Sequence, residues 1–548
     1  MTFDVTRLSP DTTTFAAARA CAAEAAKRVR VVPPETVTFT SRGTVLVTGK
    51  ADRALGALGR LSAPLRVVAF VPGAPDDAAV GPNVRVVAAP ITSLSGHLGY
   101  FSATSVPVNG ERVDAGRFGW NEDRRFDLVL DLNEPPLLAH EVRPLGYYAP
   151  RDEAELRVAL ESIRAQPGAS HKPRYFGYEP ERCTHGASSV TGCTRCLDAC
   201  PAGAIVSAGA KVKFDPFLCQ GCGTCTAVCP DGAVRYAYPP AATTLEMVRV
   251  MLEAWRVTGA AAPRLVVISA EGAPSSATQS LLDAPDALSH SVHALASFGI
   301  EAWFATLAWG ATQVVLVAGA HTPQASLHAL RDEIAMAHAV LAELGEPLSR
   351  IVLIEGAYTL LPAPAASIGT VVGTLTLESK RSTLFAALDH LAQSNTPSNV
   401  PVRLPKRSSI GAVVVSKERC TLCFACVNLC PTYALSNGGD ALPELRFTES
   451  RCVQCGLCER GCPEQAVQLI PQITLARTAR EELKVLFTDE PFKCIRCGTP
   501  FISQRTLMRS MELVKEHPLI QQEGIERLKL CMPCRADATM RDAMPDQR

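Results

Sequence analysis

Of the twenty-one cysteines in this 548-residue chain, all but Cys21 fall into groups with the spacing of metal ligands. Cys420, Cys423, Cys426 and Cys430 read C-x2-C-x2-C-x3-C and are followed by Pro431. Cys452, Cys455, Cys458 and Cys462 repeat the run before Pro463, and Cys219, Cys222, Cys225 and Cys229 give it again before Pro230. A fourth copy is broken at its first position: Cys193, Cys196 and Cys200 are in place before Pro201, but Val190 stands where the first cysteine belongs. Cys183, seven residues upstream of Val190, is the obvious substitute. A chain built this way must fold short loops around compact centres, and that requirement outranks every other constraint on it.

Disulfides do not suit these runs, because vicinal C-x2-C spacing without a secretory signal is a metal or redox signature. Zinc sets come as two C-x2-C pairs, not as triplets closed by Cys-Pro. The runs resemble those of bacterial ferredoxins, in which three close cysteines hold one [4Fe–4S] cluster and the fourth ligates its neighbour. Four such clusters are expected. The resemblance groups Cys183, Cys193, Cys196 with Cys229, and Cys219, Cys222, Cys225 with Cys200. It likewise groups Cys420, Cys423, Cys426 with Cys462, and Cys452, Cys455, Cys458 with Cys430. His185 lies in the same excursion as Cys183 and is the alternative ligand; thiolate is the softer choice. One tight loop supplies three thiolates while its backbone N–H groups face the sulfurs. The proline then turns the chain away without adding a stray N–H.

Cys494-x2-Cys497 and Cys531-x2-Cys534 stand apart as two paired knuckles separated by 33 residues. That pattern points to one structural zinc with four thiolate ligands; a single rubredoxin-like iron or a fifth cluster is the alternative. Cys21 is alone on an Ala-rich helical stretch and reads as a small buried apolar residue. His97 and His140 are isolated and read as structural.

The rest of the chain bounds the setting. Lys plus Arg and Asp plus Glu both number 54, so no charge excess points to nucleic acid or an anionic membrane surface. No apolar stretch approaches the ~20 residues of a membrane span. The N-terminus has no signal-peptide pattern, and the Arg124-Arg125 pair is internal, so a cytoplasmic location is expected.

The expected fold is multidomain, α/β plus α+β. Residues 1–170 form an N-terminal α/β domain of unassigned role, with strands expected at 37–40, 44–47, 65–70 and 126–131. Two bacterial-ferredoxin-like two-cluster units, 178–240 and 410–471, flank a parallel-sheet α/β domain at 243–390. In that domain fully apolar strands (265–268, 314–318, 351–354) alternate with helices (245–257, 324–344). A Ser/Asn/Pro-rich linker occupies 394–409, and the four-cysteine segment closes the chain at 485–548.

Residues 298–311 and the strand after them resemble the small iron–sulfur subunit of methyl-viologen-reducing hydrogenase. That family's cysteines are missing here, because the strand runs into Ala318-Gly319-Ala320-His321. The resemblance therefore implies a docking or spacing role for this domain. The overall layout is similar to the multi-cluster ferredoxin proteins found with bacterial molybdenum formate dehydrogenases. This likeness rests on GCTRCLDACPAGAI (192–205), FDLVLDLNEPPL (126–137) and FKCIRCGTPF (492–501). It implies an electron-transfer or accessory role beside a dehydrogenase. No nucleophile elbow, zinc-protease helix, kinase set or dinucleotide fingerprint occurs. The residues thus describe a polyferredoxin passing single electrons between a donor and a partner oxidoreductase. Two other classes stay open: an enzyme subunit binding flavin in the central domain, and an assembly factor for a molybdoenzyme.

Overall fold

The computed structural model describes residues 12–543 apart from 62–63, 75–80, 107–109, 271–275, 357–363, 365, 374, 376, 394–398, 440, 519 and 521–523. The first residues of the expected linker, 394–398, lie outside the described residues.

Two parallel sheets dominate the non-cysteine parts. The N-terminal sheet is built from β1 (Thr44–Gly49), β2 (Arg66–Phe70), β3 (Val84–Val87), β4 (Leu128–Leu132) and β5 (Tyr147–Tyr148), in the order β3-β2-β1-β4-β5. Every described neighbour pair in it is parallel. β1 and β4 are buried along their whole length, which is why TVLVTG and LVLDL read as unbroken strands rather than alternating ones. Their side chains alternate between two cores: Val45, Val47 and Leu128 face one side, Leu46 and Val129 the other.

The central sheet holds β6 (Arg264–Ser269), β7 (Ala287–Val292), β8 (Gln313–Ala318) and β9 (Ile351–Glu355), in the order β7-β6-β8-β9, all parallel. It is covered by α2 (Ala241–Val257), α3 (Ile300–Ala308), α4 (Gln324–Glu343) and α5 (Lys380–Ala392). α3 is buried on every side, as a helix reading IEAWFATLA must be. The first helix of the chain, α1 (Thr12–Lys27), departs from the expected 1–170 domain. Its Phe15, Ala18 and Ala22 pack into the central core instead, with Phe15 6.0 Å from Trp255 of α2. Cys21 lies off that face and is exposed, which corrects its reading as a buried apolar residue.

The two cysteine-rich units repeat one plan. In the first, Phe176–Tyr178 pairs with Val234–Tyr236 and Ile205–Ala208 with Lys211–Phe214, all antiparallel. In the second, Gly411–Val415 pairs with Val467–Ile473 and Leu435–Asn437 with Glu444–Phe447. The central core runs into both: Ala227 of the first unit and Ile410, Ile473 and Leu475 of the second belong to the same apolar cluster as Trp303 and Leu388.

Candidate metal centres

Left-handed backbone brings each run of thiols together. In all three intact runs the residues on either side of the second cysteine have positive φ: Gly221 and Gly223, Leu422 and Phe424, Gln454 and Gly456. The reversal of the chain at these points turns successive side chains to one side of the loop. For Leu422, Phe424 and Gln454 it costs on the order of 1–2 kcal/mol each, the kind of strain that folds hold at functional sites. The third residue after every fourth cysteine is also left-handed: Gly203, Gly232, Tyr433 and Gln465.

The broken run solves the same problem differently. A small hairpin, Gly186–Ala187 against Val190–Thr191, turns at Ser188 and Ser189, both with positive φ. It returns the chain so that the N–H of Cys193 donates to the Thr184 carbonyl, beside Cys183. His185, 2% exposed, has both ring nitrogens engaged, Nδ1 with the Cys193 carbonyl and Nε2 with Ser207 Oγ, each at 2.8 Å. In this arrangement it braces the loop and presents no nitrogen to the thiols.

Four groups of thiols result. One cavity is lined by Cys200, Cys219, Cys222 and Cys225 (group A), and another by Cys420, Cys423, Cys426 and Cys462 (group D). Group B is Cys183, Cys193, Cys196 and Cys229. Burial, reinforced by Cys229, Cys193 and Cys183, pushes the Cys196 thiol up to about 12. Group C is Cys430, Cys452, Cys455 and Cys458, with Cys455 pushed up to about 11 by burial, Cys452 and Cys430 among its neighbours. Backbone N–H groups reach sulfur at matching places: Ala204 to Cys200 at 3.3 Å and Ala466 to Cys462 at 3.2 Å. Buried thiols packed this closely resist ionisation. They become thiolates when a cationic core takes the place of the protons, so the donor sets fit metal clusters.

A basic side chain serves the carbonyl of the first cysteine in every run. Lys172 Nζ donates to Cys219 O at 2.6 Å, Lys211 Nζ to Cys183 O at 2.9 Å, Arg381 Nη2 to Cys452 O at 2.6 Å and Arg505 Nη1 to Cys420 O at 3.5 Å. Cys183 therefore has the same partner as the first cysteines of the intact runs, despite its shifted position.

The groups also adjoin in the order A–B–C–D: Cys225 of A lies near Cys196 of B, Cys455 of C near Cys193 of B, and Cys458 of C near Cys426 of D. The B–C step joins the two units, and two arginines within the cysteine loops clamp it. Arg460 donates to Thr191 O at 2.7 Å and to Gly192 O, while Arg195 donates to Ser408 O at 2.9 Å and to Arg407 O. Among the sixteen cysteines only Cys423, at the D end, is exposed.

The C-terminal knuckles sit beside group D. Cys494, Cys497, Cys531 and Cys534 converge with ligand atoms within 4.8 Å of one another, and the Cys531 N–H donates to Cys494 Sγ at 3.3 Å. Ser503 Oγ donates to Thr421 O at 3.0 Å and Arg509 meets Glu464 at 3.0 Å, tying this segment to the D loop.

Comparison with known proteins fits this geometry. The model of the 4Fe-4S dicluster domain matches twice, over residues 189–233 and 419–466. Both units are ferredoxin-type 4Fe-4S domains. Among curated relatives, the chain is 27% identical over 95 residues to NADH-quinone oxidoreductase subunit I 2 of Geobacter metallireducens (16% of this chain, 72% of that one). It is 34% identical over 59 residues to pyruvate synthase subunit PorD of Thermotoga maritima (11% and 58%). It is 38% identical over 45 residues to ferredoxin-type protein NapF of Escherichia coli (8% and 27%). The chain thus spans less than two thirds of the latter two. The two matched segments thus carry ferredoxin-type iron–sulfur domains, and ferredoxin-like electron transfer is the chemistry those domains support. No described helix is long and apolar enough to cross a membrane. The clamps Arg195 and Arg460, and Arg381 at the Cys452 carbonyl, escaped the sequence reading. The repeats themselves carried one unused signal, glycine at 221, 223 and 456 marking the left-handed positions.

Proposed function

We propose that the chain is a four-cluster relay that carries single electrons along the line A–B–C–D between a small donor or acceptor and a partner oxidoreductase. The observation that supports it best is the clamped B–C step, because it turns two separate pairs into one path. Each cluster supplies a site that gains and loses one electron. The protein residues fix spacing, exclude water and set the charge around it. Groups A to D hold a [4Fe–4S] cluster each, with the crossed fourth ligands Cys229, Cys200, Cys462 and Cys430. The four knuckle thiols hold one zinc, which stiffens the segment beside D. The exposed Cys423 end faces the partner protein, for which the likeness to formate-dehydrogenase ferredoxins favours a formate dehydrogenase; the central domain spaces and docks the two units.

Anaerobic protein should contain about 16 iron and about one zinc per chain. Cys→Ser changes at Cys423 and Cys455 should each abolish electron delivery from a reduced donor to the partner. Undiminished delivery by either variant would refute the relay.

A further inference from the structure

The A end of the line does not open onto the outer surface in the way the D end does. It meets a cavity of about 250 Å³, whose wall includes Cys222 and Gly221 of the cysteine loop. The opposite wall is the carboxyl edge of the central sheet: Ser269 ends β6, His293 follows β7 and Gly319 follows β8. The strand order β7-β6-β8-β9 reverses direction between β6 and β8. A crevice outside the carboxyl ends at such a reversal is where open α/β sheets bind their ligands. At ~30 Å³ per water the space holds about eight waters, or one small organic molecule.

The lining restricts what enters. Among the described residues around it there is no Asp, Glu, Lys or Arg. Gln220 Nε2 spends one hydrogen on Leu218 O and Thr322 Oγ1 accepts from the Gly319 N–H, so each keeps a hydrogen to donate into the space, while Ser269 Oγ already donates to His293 O. α4 begins at the rim, but its first amides, Gln324 and Ala325, are already capped by the Glu141 carboxylate. The usual seat for a phosphate is therefore filled by a side chain of the protein itself. One wall is aromatic: Tyr175 lies 4.9 Å from His293, and a Cβ on Gly221 would come within 2.6 Å of the Tyr175 ring. The wall is also wired to a ligand sulfur. Ser326 Oγ meets Thr224 Oγ1 at 2.6 Å, and Thr224 Oγ1 meets Cys222 Sγ at 3.3 Å.

We propose that this crevice binds a small, uncharged, unphosphorylated planar ring bearing conjugated carbonyls, the chemistry shared by quinones and isoalloxazines. The assignment of a redox-active occupant rests on the relay reading above. The lack of Asp, Glu, Lys and Arg among the described lining residues suits a neutral ring, and the anionic cluster that Cys222 would help to hold disfavours a phosphate. Tyr175 and His293 supply an aromatic wall, and Gln220 and Thr322 donate to the carbonyl edge. Because Ser326 and Thr224 lead to Cys222, occupancy also alters the hydrogen bonding at group A.

The test is equilibrium binding to the full iron-loaded chain, using lumiflavin for the isoalloxazine arm and menadione for the quinone arm, with FMN as the phosphorylated comparison. At least one neutral probe should bind saturably at one per chain, and FMN should bind at least 10-fold more weakly than lumiflavin if the isoalloxazine is the occupant. Thr322→Trp and, separately, Ser269→Phe fill the crevice and should each weaken the bound probe at least 10-fold, with iron content measured alongside to show a folded chain. The bound probe should also perturb the spin-resonance signal of one reduced centre. No saturable binding of either neutral probe would overturn the proposal, as would unaltered affinity in both filled variants. A chain short of iron, or one whose centres do not reduce, would count against the relay instead, so the two failures are distinguishable.

Discussion

The B–C junction is tested most directly at Gly192. This residue precedes Cys193, and an added Cβ would lie 2.7 Å from Leu457 Cγ, 2.7 Å from the Thr184 carbonyl oxygen and 3.0 Å from Leu457 Cδ2. Leu457 is fully buried between Cys455 and Cys458, and Thr184 presents backbone, so neither yields easily. Overpacking of this kind costs about 1–3 kcal/mol. The φ of Gly192 is outside the left-handed region, so Gly192→Ala also recovers about 0.4–1 kcal/mol by restricting the unfolded chain. The net expectation is a docked junction weakened by about 1–2 kcal/mol, or roughly 5- to 30-fold in its opening equilibrium. Amide hydrogen exchange reads that locally. Amides of 193–195 and 457–460 should exchange roughly 5- to 30-fold faster, while β1 and β8 keep their protection. Spin–spin broadening between reduced centres of the two units should diminish in parallel. Gly56→Ala is the control, because a Cβ there meets nothing within 4 Å. Exchange in the two loops no faster than in that control would refute the clamped junction.

Three further outcomes follow from individual contacts. His185→Ala leaves the Cys193 carbonyl and Ser207 short of a partner and should destabilise the loop by about 1–3 kcal/mol, yet keep iron near ~16 per chain. Cys183→Ser should instead lower iron toward ~12, and the reverse pattern would make His185 the ligand. Lys172→Met removes a buried cation that donates to Phe217 O and Cys219 O. At an effective dielectric near 20 that charge is worth on the order of 1–2 kcal/mol, so a spin-resonance titration should find one centre lowered by roughly 40–90 mV; no shift would remove Lys172 from the tuning of group A. His290 on β7 is held by burial down to about 4. Its folded value lies below the unfolded one, so the unfolded chain binds the extra proton and stability is lost as pH falls from about 6.5 toward 4. Protection of the central sheet should drop by about 1.6 kcal/mol between pH 6.5 and pH 5, and His290→Gln should abolish that dependence; an equal drop in the variant would refute it.

What was readable in the sequence divides by physical cause. Ligand spacing is local, and so the thiol runs stood out. The buried strands β6 and β8 were equally plain, because a parallel strand covered on both faces is apolar at nearly every position, and the edge strand β9 was plain because Ile351–Ile354 is an unbroken apolar run. β7 was missed: its sequence ALSHSV places Ser289 and Ser291 at exposed positions of an edge strand, which breaks the apolar run. α1 was misplaced because Ala18 and Ala22 suit any close helix contact, and nothing local selects α2 over the N-terminal sheet. The left-handed residues Leu422, Phe424 and Gln454 have no propensity for that conformation; only superposing them on Gly221, Gly223 and Gly456 reveals it.

The arrangement of the two units was not readable at all, and the reason lies in what holds them. Within each unit the fourth cysteine of one run lies among the thiols of the other, but no cysteine links one unit to the other. That task falls to Arg195, Arg460 and the first two residues of α5. A capping box between Ser379 and Ser382 fixes where α5 begins. Lys380 then donates to the carbonyls of Thr226 (3.0 Å) and Ala227 beside group A, and Arg381 donates to those of Ser450 (2.8 Å) and Cys452 (2.6 Å) at group C. Consecutive residues on a helix point about 100° apart, so one helix start can grip both units at once. Every acceptor in this set is a backbone carbonyl, which any residue provides and no sequence pattern marks. The central domain therefore does more than separate two copies of one module. By burying its apolar core against both and starting a helix between them, it fixes the one spacing that the cysteines leave open.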